Sequence, residues 1–203
     1  MRRSFPACRN PHGTPPAWTP WPTATGRVPD EAEPAGLPES AREAARLDAL
    51  ANGHGTEEKP EWRFTQKFTS LQPVLQFADS DDLRRKVWEG SCTIGRDGEY
   101  DNETLIAEIL DLRDRKARLR GCGTFADYTT SRRMAASGAN ALDFVNDLHD
   151  KVKPSFLADM EAVRQYKEEK TGKPVEKLSP WESYYWAEAR RLVLNALDEE
   201  ARR

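Results

Sequence analysis

The sequence predicts an all-α protein, and three kinds of observation carry that reading. Apolar residues recur at helical spacing through most of the chain after Gly36. Capping signals open several of those stretches, and glycines close them. Only one short segment, near 61 to 66, alternates in the manner of a strand. Two domain-level segments follow: a head over 1–35, disordered or misread, and a partial helical domain over 36–203.

The head, "MRRSFPACRNPHGTPPAWTPWPTATGRVP", is proline-rich and has no acid before Asp30. Arginine with serine and threonine in an acid-free stretch suggests an organelle transit peptide. The prolines oppose the amphipathic helix such a peptide needs, so an extended or disordered linker is the better reading. A wrongly assigned gene start gives the same composition.

The helical domain opens with "LPESAREAARLDALANG", rich in helix formers, with Gly53 as its stop. "PEWRFTQKF" alternates Trp62, Phe64 and Gln66, a short extended segment. "SDDLRRKVWEG" starts a helix with Ser80 and two aspartates at its positive end. "DNETLIAEILDLRDRKARLRG" is the clearest helix, with Asp101 or Asn102 as cap. Leu105, Ile109, Leu112 and Leu119 form one stripe, widened by Ile106, Leu110 and Ala117. Its basic last turns complement the helix dipole, a better reading than a phosphate site.

Thr124 stands three residues before Asp127, a capping-box start for "TFADYTTSRRMA". A long helix over about 139–170 carries Ala141, Val145, Leu148 and Val152, then Phe156, Met160 and Val163. Pro154 is expected to kink or divide it. Gly172 and Pro174 mark a loop. In "SPWESYYWAEARR", Ser179 is the cap, Pro180 the first helical residue, and Glu182 completes the box. Trp181, Tyr185, Leu192 and Ala196 share a face, with Tyr184, Trp186 and Val193 alongside. That much ring surface expects burial. Core packing is favoured over a platform for a base or a cation cage.

Composition bounds the function. The chain has 203 residues, 32% charged, with net charge -3, which argues against a general nucleic-acid binder. No apolar run reaches the length of a membrane span. Cys8, Cys92 and Cys122 are odd in number and widely spaced, so a disulfide framework is not expected and a reducing compartment is. His12, His54 and His149 are the three histidines, and nothing in their spacing makes a zinc site. Asp147 and Asp150 flank His149, but neighbours one and two apart do not share its helix face. There is no HExxH, CxxC, GxGxxG or Walker-type loop. No histidine is placed to activate Cys92 or Cys122. No catalytic, metal-binding or substrate-binding residue is therefore assigned.

An ordered series of segments resembles the thimet oligopeptidase family of zinc metallopeptidases, in its bacterial oligopeptidase A and dipeptidyl carboxypeptidase branch. "GLPES" heads the series, followed by "EWRFTQKFTSLQPVLQFADSDDLRRKVWEG" and "YDNETLIAEILDLRDRKARLRGCGTFADYTTSRRMA". "SPWESYYWAEARR" is similar to the family's P-W-D-x-x-Y-[YW]-x-E-K-x-R, with Trp181, Glu182, Tyr185, Trp186 and Glu188 on matching positions. Glu182 replaces an aspartate, Ala189 a lysine, and Arg120 the second leucine of an L-L-G.

The resemblance implies part of a helical shell around a peptidase active site. It implies zinc for the full-length family, short peptides as substrates, and a cytoplasmic location. The family's HExxH helix, its downstream glutamate ligand and its substrate-binding histidine and tyrosine residues have no counterpart here. The closing "ALDEEARR" resembles a family passage ended in mid-phrase. Both ends are thus expected to be truncated or misread. The chain alone is expected to bind no cofactor and to be inactive, with a missing catalytic half as partner. The alternative is a non-catalytic helical binding module that kept the scaffold. No nucleic acid and no membrane are expected as partners.

Overall fold

The computed structural model describes residues 24–28, 34–96 and 101–195. Two strands and seven helices follow in the order β1 (Ala24–Val28), α1 (Glu39–Ala51), β2 (Trp62–Thr65), α2 (Phe68–Phe77), α3 (Asp81–Cys92), α4 (Glu103–Leu119), α5 (Phe125–Thr130), α6 (Gly138–Thr171) and α7 (Pro180–Asn195). The all-α expectation holds, with one small antiparallel hairpin-like pair added. β1 and β2 align Gly26 with Phe64 and Val28 with Trp62. β1 falls inside the head that was read as disordered or extended. Residues 1–23 and 29–33 of that head, Cys8 and His12 among them, lie outside the described residues.

β2 is half of a core. Its alternating Trp62 and Phe64 both point inward at 2% exposure. They meet Leu37, Ala45, Val74, Ala78, Leu83 and Val87, contributed by α1 with its lead-in and by α2 and α3. Burying a side chain such as Leu83 or Val74 contributes roughly 1.5–3 kcal/mol, so this cluster dominates the stability of the described residues. α2 carries Pro73 in its interior and was not expected from sequence. Its run "LQPVLQF" has little polar contrast, and the proline masks the helical period.

Local capping is mostly as read. Ser80 accepts from the Leu83 N–H at 3.2 Å, and Thr124 from the Asp127 N–H at 3.1 Å. At α4, Asp101 rather than Asn102 supplies the side-chain bond, accepting from the Glu103 N–H at 2.9 Å. At α7, the Glu182 carboxylate reaches back to the Ser179 N–H at 3.0 Å, the returning half of a capping box.

Of the kink or division expected at Pro154, the division does not occur: α6 runs unbroken for 34 residues, about 50 Å of helix. Residues 142–159 are exposed on every side. The carbonyl that Pro154 leaves without a donor can therefore face water. Gly172, in the left-handed conformation at φ 65°, ends the helix.

Candidate functional surface

Two features stand out once the helices are placed. The first is the junction that receives the aromatic start of α7. α7 packs on α2, α3 and the end of α6. The Trp181 indole N–H donates to Asp81 Oδ2 at 3.3 Å, and its ring lies 5.6 Å from that of Trp88. The Tyr185 hydroxyl donates to Asp79 Oδ1 at 3.0 Å, and the Arg84 guanidinium sits 4.2 Å over its ring. Burial, then Asp79, pushes the Tyr185 phenol above its ordinary pKa. Trp186 meets Tyr185 and Tyr166 edge-on at 5.2 Å and 6.4 Å. Its indole N–H is buried and finds no acceptor among the described residues.

Charged groups lock the same junction. Lys167 on α6 pairs with Glu182 on α7, both side chains largely buried. Burial pushes the Glu182 carboxyl up, but Lys167 and the Ser179 N–H pull it further, to a net position below its usual range. Arg164 grips Glu161 through two bonds of 2.8 Å. It also donates to Glu168 and to the Val175 carbonyl, which fastens the α6–α7 loop. The hydrogen bond from Arg164, then that from Gln165, holds Glu161 down to about 2. An open cleft of about 560 Å³ lies here, lined by Arg84, Lys167, Lys173, Glu182 and Trp186. Arg84 and Lys167 are already paired with Asp81 and Glu182.

The burial expected of this ring surface holds in part, with the Trp186 indole N–H left without an acceptor among the described residues. Trp181, Tyr185 and Trp186 are half-buried, and Tyr184, at 59% exposure, is the ring turned outward. Asp79, Asp81 and Arg84, which receive the rings, were legible only as a helix start. Nothing in their spacing announced partners about 100 residues away.

The second feature is the apolar face expected to be buried and found bare. On α4, Leu105, Ile109, Leu112 and Leu119 are 46–87% exposed. On α6, Leu142, Phe144, Val145, Leu148, Val152, Phe156 and Leu157 are each about half exposed or more. Short α5 joins the two helices. Asp127 Oδ1 accepts from the Gly138 N–H at 2.9 Å, which ties α5 to the start of α6. That bond, then one from Thr124, lowers the Asp127 pKa.

Among the described residues no three histidine, cysteine or carboxylate side chains come together. His149 does touch its sequence neighbour, against the helix-face expectation, with Nδ1 3.2 Å from Asp150 Oδ1. Both side chains are more than 60% exposed, and Asp147 pairs with Lys151 instead. His54 stands alone after α1, half-buried. Cys92 and Cys122 are free thiols. These residues do not fit a zinc site, and no hydrolytic step runs through them. Nor is any described helix long and apolar enough to cross a membrane.

Fold and surface together define a class: a helical scaffold with one packed half and one bare apolar arm. The sequence pattern of peptidase family M3 matches residues 74–203, from α2 onward, so the chain belongs to peptidase family M3. It is 31% identical over 181 residues to oligopeptidase A of Salmonella typhimurium and likewise to that of Escherichia coli, covering 87% of this chain and 26% of each relative. Identity to the Haemophilus influenzae oligopeptidase A is 30% over 178 residues, or 85% of this chain and 25% of the relative. The chain thus spans about a quarter of the length of these curated relatives.

Proposed function

We propose that this chain supplies helical scaffold to the zinc-dependent hydrolysis of short peptides in the cytoplasm, and that it does not cleave peptides by itself. The family match over 74–203 carries the reading. The relatives' name, oligopeptidase A, supports oligopeptides as the substrate class. The 203 residues contain no HExxH, and hydrolytic zinc needs three converging ligands with a glutamate to activate water. On this reading the ligands lie outside these 203 residues, and the bare α6 face is where the portion that carries them would seat. The rival reading, a binding module without catalysis, draws on the same bare face and on the self-sufficient core beside it.

The deciding experiment measures bound zinc and cleavage of a quenched fluorescent oligopeptide. The chain is assayed alone, then co-expressed with the part of the Escherichia coli oligopeptidase A outside the matched quarter. The expected outcome is no stoichiometric zinc and no turnover alone, with turnover in the co-expressed complex. Stoichiometric zinc with turnover from the chain alone would overturn the proposal. A stable complex without turnover would favour the binding module.

A further inference from the structure

We propose that the cleft between α3, the end of α6 and α7 is a binding site for a small organic carboxylate. The inference concerns that cleft alone and does not rest on the peptidase reading.

Three helices converge on it, with Asp81 and Arg84 from α3, Lys167 from α6, Lys173 from the loop that follows, and Glu182 and Trp186 from α7. Each carboxylate oxygen there already has a donor. Asp81 receives the Arg84 guanidinium on Oδ1 and the Trp181 indole on Oδ2. Glu182 receives Lys167 on Oε1 and the Ser179 N–H on Oε2.

The donors are less fully used. Arg84 is 3% exposed. Its Nη1 donates to the Ala78 and Asp79 carbonyls and its Nη2 to Asp81. Its Nε is buried and has no acceptor among the described residues, and the Trp186 indole N–H is in the same state. A buried donor left unpaired loses its hydration with no bond in return. Two of them on side chains that line one cleft point to a missing acceptor. Both atoms are shut off from bulk water, so bulk water does not supply it.

Charge and shape narrow the ligand. The cleft carries three cations, Arg84, Lys167 and Lys173, against two carboxylates. Lys173 is exposed and holds no ion pair among the described residues. One surplus positive charge and two spare N–H donors match a single carboxylate, whose two oxygens only accept, better than a doubly charged phosphate. At about 560 Å³ the cleft holds more than a carboxylate, and Pro174, Val175 and the Trp186 ring give the remainder apolar walls. The ligand is therefore a monoanion with an apolar body.

The test is a titration of the full chain with sodium benzoate, read by proton–nitrogen correlation NMR at an ionic strength held constant with sodium chloride. The Trp186 indole N–H and the Arg84 Nε–H, assigned through bonds, are the reporters. Both are expected to shift downfield and to saturate with one shared dissociation constant in the millimolar range. Acetate, which lacks the apolar body, should bind more weakly. Lys173→Gln, in an exposed loop, should keep the wild-type circular dichroism and weaken benzoate about threefold. Reporters that stay in place, shifts that chloride alone reproduces, a benzoate affinity indifferent to Lys173→Gln, or equal or tighter binding of acetate or inorganic phosphate would overturn the proposal.

Discussion

The core around β2 and the arm of α4 and α6 are made of similar residues and end in opposite states. In the core, Val74, Leu83 and Val87 are fully buried. In the arm, Leu148, Val152 and Phe156 carry the same kind of helical stripe and stay half exposed. The difference lies in what the chain supplies to cover each stripe. α1, α2, α3 and β2 are neighbours in sequence and close on one another. α4 and α6 touch α5, a helix of six residues, too short to cover a bare stripe that runs about four to five turns along α6, from Leu142 to Leu157. Amphipathicity thus states that a face needs a cover, not that the chain provides it.

The sharpest way to break this contrast is a matched truncation. Leu83→Ala should cost about 2–5 kcal/mol, as cavity-forming core substitutions do. Leu148→Ala should stay within about 0.5 kcal/mol. Urea denaturation of both variants measures the pair, and equal losses would erase the distinction. Next is the tie between α6 and α7. Lys167→Ala leaves the Glu182 carboxylate largely buried without its cation, and should cost on the order of 2 kcal/mol by the same assay. Because Glu182 belongs to the packed half, the loss should appear in global unfolding.

A third prediction uses acid. Glu182, Glu161 and Asp127 all titrate below their ordinary values in the folded chain. A carboxyl held down in this way stabilises the fold above its unfolded pKa, near 4, and loses that contribution as pH falls through the folded value. Thermal stability should therefore hold from pH 7 to about 5 and decline towards pH 2. Glu161→Gln should flatten the lowest part of the decline, since Glu161 titrates at about 2. The smallest effect on stability belongs to Leu148→Glu with Phe156→Glu, which should leave the melting temperature nearly unchanged. The same pair should lower binding of an apolar fluorescent dye about twofold or more.

Much of this was legible in the sequence. The helix starts at Ser80, Thr124 and Ser179 follow from short-range chemistry, which a sequence displays directly. β2 was visible as alternation, but its partner β1 was not, because strand pairing is a long-range event and Ala24–Val28 sits in proline-rich surroundings. Pro154 does not divide α6: its missing N–H and its ring act only on the preceding turn of its own helix, and there the freed carbonyl is open to water. The aromatic cluster of α7 was legible as packing, but not the partners that receive it. Its acceptors, Asp79 and Asp81, precede it by about 100 residues. The absence of an assigned site rests on the motif search alone. A metal site made from distant residues leaves no local spacing to read.

One half of the molecule stands packed while the other carries an uncovered apolar face, and hydrogen exchange resolved by peptide measures this directly. Amides of α2, α3 and the first turns of α7 should exchange only with global unfolding. Those of α4 and of residues 142–159 should exchange orders of magnitude faster in the monomer. Equal protection of both regions in the monomer would contradict it.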